Sequence, residues 1–129
     1  MDGLIAKLRP VFEQFPCLKL AYLFGSRARG SAGPLSDFDF AVYFDTQAPQ
    51  EMFELQSKLI DALSRALQTD KVEVVVLNRL SSPEMKYRII TEGILITAVE
   101  PFRVLVEPQI LNEYFDFRSI LRRHRLTGV

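Results

Sequence analysis

Residues 25–44 read GSRARGSAGPLSDFDFAVYF, and this stretch decides the fold of the chain. It follows the apolar run LKLAYLF at residues 18–24, which is typical of a buried strand that ends in a Gly-Ser turn. The second half, DFDFAVYF at residues 37–44, alternates strictly between two sets of side chains. Because successive side chains of a strand lie on opposite faces, one face is predicted to be aromatic and to pack against a core. The other face begins with Asp37 and Asp39.

Asp37 and Asp39 are predicted to lie close together at the start of this strand. Two carboxylates at such a distance repel each other unless a cation lies between them. Mg²⁺ prefers oxygen ligands and takes its remaining ligands from water or from a substrate phosphate. The pattern therefore favours a magnesium site, whereas the alternative is a solvated aspartate pair on a loop.

The Gly25-Ser26 turn predicts a phosphate site next to the two carboxylates. Gly25 lets backbone approach backbone closely, and Ser26 can donate a hydrogen bond or cap a short helical turn over residues 26–30. Backbone N–H groups at a strand-to-helix turn point toward an anion, and Arg27 and Arg29 add positive charge. The turn and the acidic pair together predict a nucleotide site.

Gly-Ser followed by ten residues and Asp-x-Asp resembles the signature of the DNA polymerase β-like nucleotidyltransferase superfamily. The short chain is similar to its minimal nucleotidyltransferases, the MntA-type antitoxins encoded beside HEPN-domain toxins. The resemblance continues through a helix over residues 50–68, strands at 71–77 and 94–98, and a C-terminal helix over about 101–125. It implies an α/β (α+β) fold with a mixed, mostly antiparallel sheet flanked by helices.

The resemblance also implies the chemistry. Asp37 and Asp39 would bind two Mg²⁺ ions, and Gly25 and Ser26 would hold the β- and γ-phosphates of ATP. The implied reaction transfers AMP to a hydroxyl and releases pyrophosphate. The implied acceptor is a tyrosine of a HEPN toxin, which adenylylation would neutralise.

Glu73 corresponds to the third acid of the superfamily, which is usually Asp. Val72, Val74 and Val76 share one face of the predicted strand, so Glu73 lies alone on the other face. Its implied role is to assist a metal ion or to act as a base toward the incoming hydroxyl. The alternative is a glutamate on an edge strand that faces water.

The composition predicts one small domain over residues 1–129. Hydrophobic residues make up 48% of the chain, enough for a single core. The formal net charge is zero, so we expect no direct contact with nucleic acid. No apolar run reaches the roughly 18 residues of a membrane span, and we expect a cytoplasmic protein without membrane contact.

Two other functions remain open from the sequence. A binding-only antitoxin would keep the fold and neutralise its partner by contact, and the Asp-to-Glu change at position 73 leaves this possible. A small-molecule nucleotidyltransferase, such as an aminoglycoside-modifying enzyme, usually has an additional domain that shapes the acceptor pocket.

Four arginines crowd the end of the C-terminal helix: Arg118, Arg122, Arg123 and Arg125. Cations at a helix C-terminus are favourable without any partner, because they complement the helix dipole. The alternative interpretation is a docking surface for an acidic partner.

Overall fold

The computed structural model of the protein describes residues 2–124, in which four strands join into one sheet. The strands are β1 (Leu18–Phe24), β2 (Phe38–Phe44), β3 (Val72–Val76) and β4 (Ile94–Ala98). The α-helices of the described residues are α1 (Asp2–Glu13), α2 (Ser26–Arg29), α3 (Pro49–Leu67), α4 (Pro83–Glu92) and α5 (Phe102–Arg123).

The sheet has the strand order β3-β2-β1-β4. β1 is antiparallel to both of its neighbours, β2 and β4, whereas β3 runs parallel to β2. Parallel neighbours need a crossover connection, and α3 supplies it between β2 and β3. The prediction of a mixed, mostly antiparallel sheet flanked by helices is confirmed.

The alternation along β2 produces a core on each face of the sheet. Phe40, Val42 and Phe44 are fully buried and belong to the core formed with α1 and α3. Ala41 lies on the opposite face, in a second buried cluster with Tyr22 and with residues of α4 and α5. Because helices cover both faces, the ends and edges of the strands are the parts of the sheet left open to a substrate.

The helix boundaries follow local signals in the sequence. The Ser82 hydroxyl accepts a hydrogen bond of 3.2 Å from the Met85 amide, and Pro83 is the first residue of α4. The C-terminal helix begins at Phe102, directly after its N-cap residue Pro101, and continues through Pro108. Within residues 2–124, no helix combines the length and apolar character needed to cross a membrane.

Three aromatic or aliphatic side chains are less buried than their helical spacing predicts. Phe53 is 61% exposed, because α3 contacts the sheet through Met52, Leu59 and Leu63. On α5, Phe115 is 56% exposed and Ile120 is 44% exposed. On α5 the buried residues are instead Val106 and Ile110, which lie nearer the start of the helix.

Each edge strand of the sheet receives a hydrogen bond from a helix side chain. On β3, the carbonyl of Val74 accepts a hydrogen bond of 2.7 Å from Gln56 Nε2 of α3. On β4, the carbonyl of Ile96 accepts one of 3.1 Å from Arg9 Nε of α1. The helices thus satisfy backbone oxygens at both edges as well as covering the faces.

Candidate active site

Antiparallel pairing brings the two halves of the Gly-Ser and Asp-x-Asp pattern into contact. Phe24, the last residue of β1, pairs with Asp39 on β2, so Gly25 follows directly beside that carboxylate. Gly25 has φ 77° and ψ −158°, and a Cβ at this position would overlap Asp39 Oδ2. Only glycine combines this backbone conformation with this close approach.

The turn after β1 is a short helix that begins at the site. Gly25 is the N-cap residue of α2, and its carbonyl accepts hydrogen bonds from the amides of Ala28 and Arg29. The alternative in which Ser26 caps the helix is therefore wrong: Ser26 is its first residue, and no side-chain cap is made. The helix ends at Arg29, and its C-cap residue Gly30 has φ 74°. The Ser26 hydroxyl consequently has no capping role in the described structure.

Glu73 lies beside Asp39 because β3 pairs with β2 in parallel register, with Asp39 opposite Glu73. Burial, followed by the charges of Glu73 and Asp37, raises the pKa of the Asp39 carboxyl, and Arg29 partly offsets this increase. Glu73 and Asp37 are themselves exposed. Three carboxylates therefore share one region with one guanidinium, and this negative charge favours a bound cation.

The donor set fits a hard divalent cation such as Mg²⁺, which takes carboxylate oxygens. Across residues 2–124, no three His, Cys, Asp or Glu side chains converge closely enough to form a complete metal site. Asp37 and Asp39 are the side chains suited to hold such an ion, with other ligands drawn from water or phosphate. The role of Glu73 as a third ligand of the metal ion stays a prediction.

The two arginines of α2 face different surroundings. Arg29 is exposed, and its charge acts on Asp39. The Arg27 guanidinium carbon lies 3.8 Å from the centre of the Phe38 ring, and Arg27 Nη2 donates a hydrogen bond of 2.8 Å to the Ser36 carbonyl. Arg27 thus contacts other residues of the protein and not the predicted phosphate site, and its position in the motif did not indicate this role.

A cavity of about 340 Å³ opens beside Gly25 and Arg29. Its other wall is α4, which contributes charged side chains at positions 84, 88 and 92. The sequence of α4 does not indicate a role in the site, because charged residues at four-residue spacing are typical of a solvated helix face. The cavity adjoins the predicted phosphate site.

The model of the family described as Polymerase beta, Nucleotidyltransferase matches residues 6–100 of this chain. The protein adenylyltransferase MntA of Aphanizomenon flos-aquae (strain 2012/KM1/D3) is 34% identical over 89 residues. That match covers 60% of this chain and 58% of the relative, so the chain spans less than two thirds of the relative's length.

Solved structures show the same fold. A chain in the structure of a tri-AMPylated Shewanella oneidensis HEPN toxin in complex with MNT antitoxin is 25% identical, with a TM-score of 0.66. The likeness covers 95% of this chain and 94% of that chain. A toxin-antitoxin structure with AMP-PNP gives a TM-score of 0.71 at 24% identity, over 95% of this chain and 92% of that one.

Proposed function

Because the chain belongs to the polymerase β nucleotidyltransferase family, we propose that it is a protein adenylyltransferase. It transfers AMP from ATP to a tyrosine hydroxyl of a HEPN-domain toxin and so acts as the antitoxin of that pair. Two similar proteins support this proposal: the MntA relative is a protein adenylyltransferase, and the Shewanella complex contains a tri-AMPylated HEPN toxin.

The observation that carries the proposal is the contact between Gly25 and Asp39, with Glu73 in register beside Asp39. A phosphate-binding turn, a metal-binding carboxylate and a further acid are the parts that phosphoryl transfer requires. They come from three separate segments of the chain and meet at one end of the sheet.

Each residue has a defined task in this proposal. Asp37 and Asp39 would hold the two Mg²⁺ ions, which when bound would supply positive charge for an in-line displacement. Gly25, Ser26 and Arg29 bind the β- and γ-phosphates and orient the α-phosphate. The tyrosine oxygen forms a bond to the α-phosphorus, while the bond from that phosphorus to pyrophosphate breaks. Glu73 accepts the hydroxyl proton.

The experiment uses ATP labelled at the α-phosphate, Mg²⁺ and a HEPN-domain protein encoded beside this chain. We expect label on the HEPN protein with the wild type and none with Asp37→Asn combined with Asp39→Asn. Asp45→Asn is the matched control, because Asp45 is an exposed aspartate immediately after β2, at the other end of that strand.

Two results would contradict the proposal. Neutralisation of the toxin without any label would indicate a binding-only antitoxin. Label on an added aminoglycoside, with none on the HEPN protein, would indicate a small-molecule nucleotidyltransferase.

A further inference from the structure

Leu35 exposes a large apolar side chain to water beside the carboxylates. Its exposed fraction is 76%, the highest among the large hydrophobic residues that the structure describes. It lies in the loop between α2 and β2, two residues before Asp37. A single exposed apolar residue on a freely moving loop would need no explanation. Leu35 differs, because the protein fixes its loop and because that loop borders the site.

Hydrogen bonds within the loop define the backbone around Leu35. Residues 33–36 form a turn, in which the Ser36 amide donates a hydrogen bond of 3.1 Å to the Gly33 carbonyl. The Gly33 amide in turn donates one of 2.9 Å to Ser36 Oγ. Pro34 has a fixed φ and leads directly into Leu35. The turn therefore has a defined shape that does not depend on burial of the Leu35 side chain.

Two basic side chains anchor the same turn to neighbouring elements. The Leu35 carbonyl accepts a hydrogen bond of 3.3 Å from Nζ of Lys71, the residue before β3. The Ser36 carbonyl accepts the bond of 2.8 Å from Arg27 on α2. Because the turn is held from both sides, Leu35 is presented at a fixed place. A preorganised apolar group of this kind costs less ordering entropy when a partner covers it.

The bond from Lys71 places Leu35 on the β3 side of the site. β3 is an edge strand, and it begins one residue after Lys71. The Lys71 carbonyl also accepts a hydrogen bond of 2.8 Å from the Phe38 amide, which joins the start of β2 to the start of β3. Leu35 thus borders the end of β3 that carries Glu73.

The β3 side is also where the proposed function puts the acceptor. The Gly25 turn, which binds the leaving pyrophosphate in that proposal, follows β1 on the other side of β2. In an in-line displacement the acceptor attacks from the side opposite the leaving group. Glu73, the proposed base, lies on that opposite side. Since α-carbons two residues apart are at most about 7 Å apart, a tyrosine whose hydroxyl lies near Asp37 brings its ring within reach of Leu35.

We propose that Leu35 is a specificity-determining contact for the acceptor. Its side chain packs against the aromatic ring of the acceptor tyrosine and so favours a phenolic hydroxyl over the hydroxyl of serine or threonine. Covering an exposed leucine with a ring removes apolar surface of both groups from water. Serine and threonine have no ring to cover Leu35, so they gain nothing from this contact. The inference rests on the proposed function, because that function puts the acceptor hydroxyl beside Glu73.

The test is a double-mutant cycle on the complex with the HEPN-domain protein. Its acceptor tyrosine, located from the labelled product, is replaced by Phe, which keeps the ring, or by Ala, which removes it. Leu35→Ala should raise the Kd for the Phe form about tenfold and leave the Kd for the Ala form unchanged. The kcat/KM for AMP transfer to the unaltered HEPN protein should fall by a similar factor, while the Kd for ATP keeps its wild-type value.

Three further variants make the test specific to Leu35. Leu35→Met, which keeps an apolar side chain of similar volume, should retain the wild-type Kd for the Phe form. Lys71→Met should raise that Kd in the wild-type background and have no further effect in the Leu35→Ala chain, since Lys71 is a positioning residue that acts through Leu35. Phe53→Ala is the matched control, because Phe53 is 61% exposed but lies near the start of α3, after the other end of β2.

The outcomes separate this contact from the activity itself. An unchanged Kd for the Phe form in Leu35→Ala, or equal changes for the Phe and Ala forms, would overturn the ring contact. Either result leaves the proposed function intact when the wild type still labels the HEPN protein. A wild type that labels no HEPN protein contradicts the proposed function and this inference together. A melting temperature of Leu35→Ala well below that of the wild type would assign Leu35 to the fold and overturn the inference alone.

Discussion

At the scale of single residues, Arg27 connects the turn after β1 with the segment that carries Asp37 and Asp39. Its guanidinium lies over the Phe38 ring and is hydrogen-bonded to the Ser36 carbonyl, while its Nε has no partner among the described residues. Phe38 lies between Asp37 and Asp39 in the chain. A side chain from the first turn of α2 therefore fixes the segment that presents both carboxylates.

Arg27 and Arg29 should consequently differ when each is replaced by Met. We expect Arg27→Met to lower the free energy of unfolding by about 1–2 kcal/mol, through the loss of one hydrogen bond and one cation–π contact. It should also lower kcat more than it changes the KM for ATP. Arg29→Met should raise that KM and leave stability nearly unchanged, because Arg29 is exposed. Urea unfolding and AMP-transfer kinetics on both variants provide the measurement. A purely raised KM in Arg27→Met would instead make Arg27 a phosphate ligand.

The carboxylate pair should reduce stability in the absence of metal. Because the folded protein raises the pKa of Asp39 above its unfolded value of 3.8, its folded form binds protons more tightly. This contribution to stability is therefore present below pH 3.8 and is lost as the pH rises through the folded pKa. At pH 7 in EDTA, Asp37→Asn with Asp39→Asn should melt at the wild-type temperature or up to about 5 °C above it.

Thermal melts at pH 7 and near pH 4 check this prediction. The difference in melting temperature between the wild type and the double variant should shrink at the lower pH, because Asp39 of the wild type becomes protonated there. Added Mg²⁺ should stabilise the wild type only. A double variant that melts far below the wild type would mean that these carboxylates hold the fold together, and the catalytic assignment would lose its basis.

At the scale of elements, the parallel pairing of β3 with β2 gives Glu73 its position. Glu73→Gln keeps the size of the side chain and removes its charge, so AMP transfer should fall by about 10²-fold or more. Glu73→Asp should retain more activity than Glu73→Gln, because it preserves the carboxylate. Glu54→Gln, on an exposed position of α3, is the control. Equal rates for the wild type and Glu73→Gln would show that the site operates with two acids.

The outer part of α5 offers apolar and basic side chains to solvent. Phe115 and Ile120 are largely exposed, and Arg122 and Arg123 occupy the last helical turn. Arg125, the fourth arginine of the predicted cluster, lies outside the described residues. Exposed aromatic and arginine residues together are typical of the centre of a protein interface.

Reversing Arg122 and Arg123 to Glu distinguishes docking from dipole stabilisation. If α5 binds an acidic surface of the toxin, association should slow at least about tenfold and depend less on salt. The melting temperature should then change little. Stopped-flow association and thermal melts are both measured on this double variant. Lys58→Glu, at an exposed position of α3, is the control. A destabilised variant that still binds its toxin at the wild-type rate would reject the docking interpretation.

At the scale of the whole molecule, the sequence predicts those structural features that depend on a local pattern of residues. β1 and β4 have the predicted bounds, because each is a short apolar run between turn signals. The contact of Gly25 with Asp39 follows from the same pattern once the two strands pair. The α4 wall of the cavity was not predictable, since only tertiary packing brings Arg88 across from Phe24. The exposure of Phe53 and Phe115 was not predictable for a related reason, because periodicity identifies an apolar stripe but not how much of it a small sheet covers.

The two hydrogen bonds at the sheet edges have a consequence for behaviour in solution. A chain of zero net charge has little long-range repulsion between copies, so it depends on local features to stay dispersed. Open strand edges are templates for intermolecular pairing, and Gln56 and Arg9 occupy one carbonyl on each. Gln56→Val combined with Arg9→Met should lower the free energy of unfolding by only about 1 kcal/mol for each lost bond. Light scattering at increasing concentration should nevertheless detect polymers of the double variant, as expected from pairing at the uncovered edges, while the wild type stays dispersed.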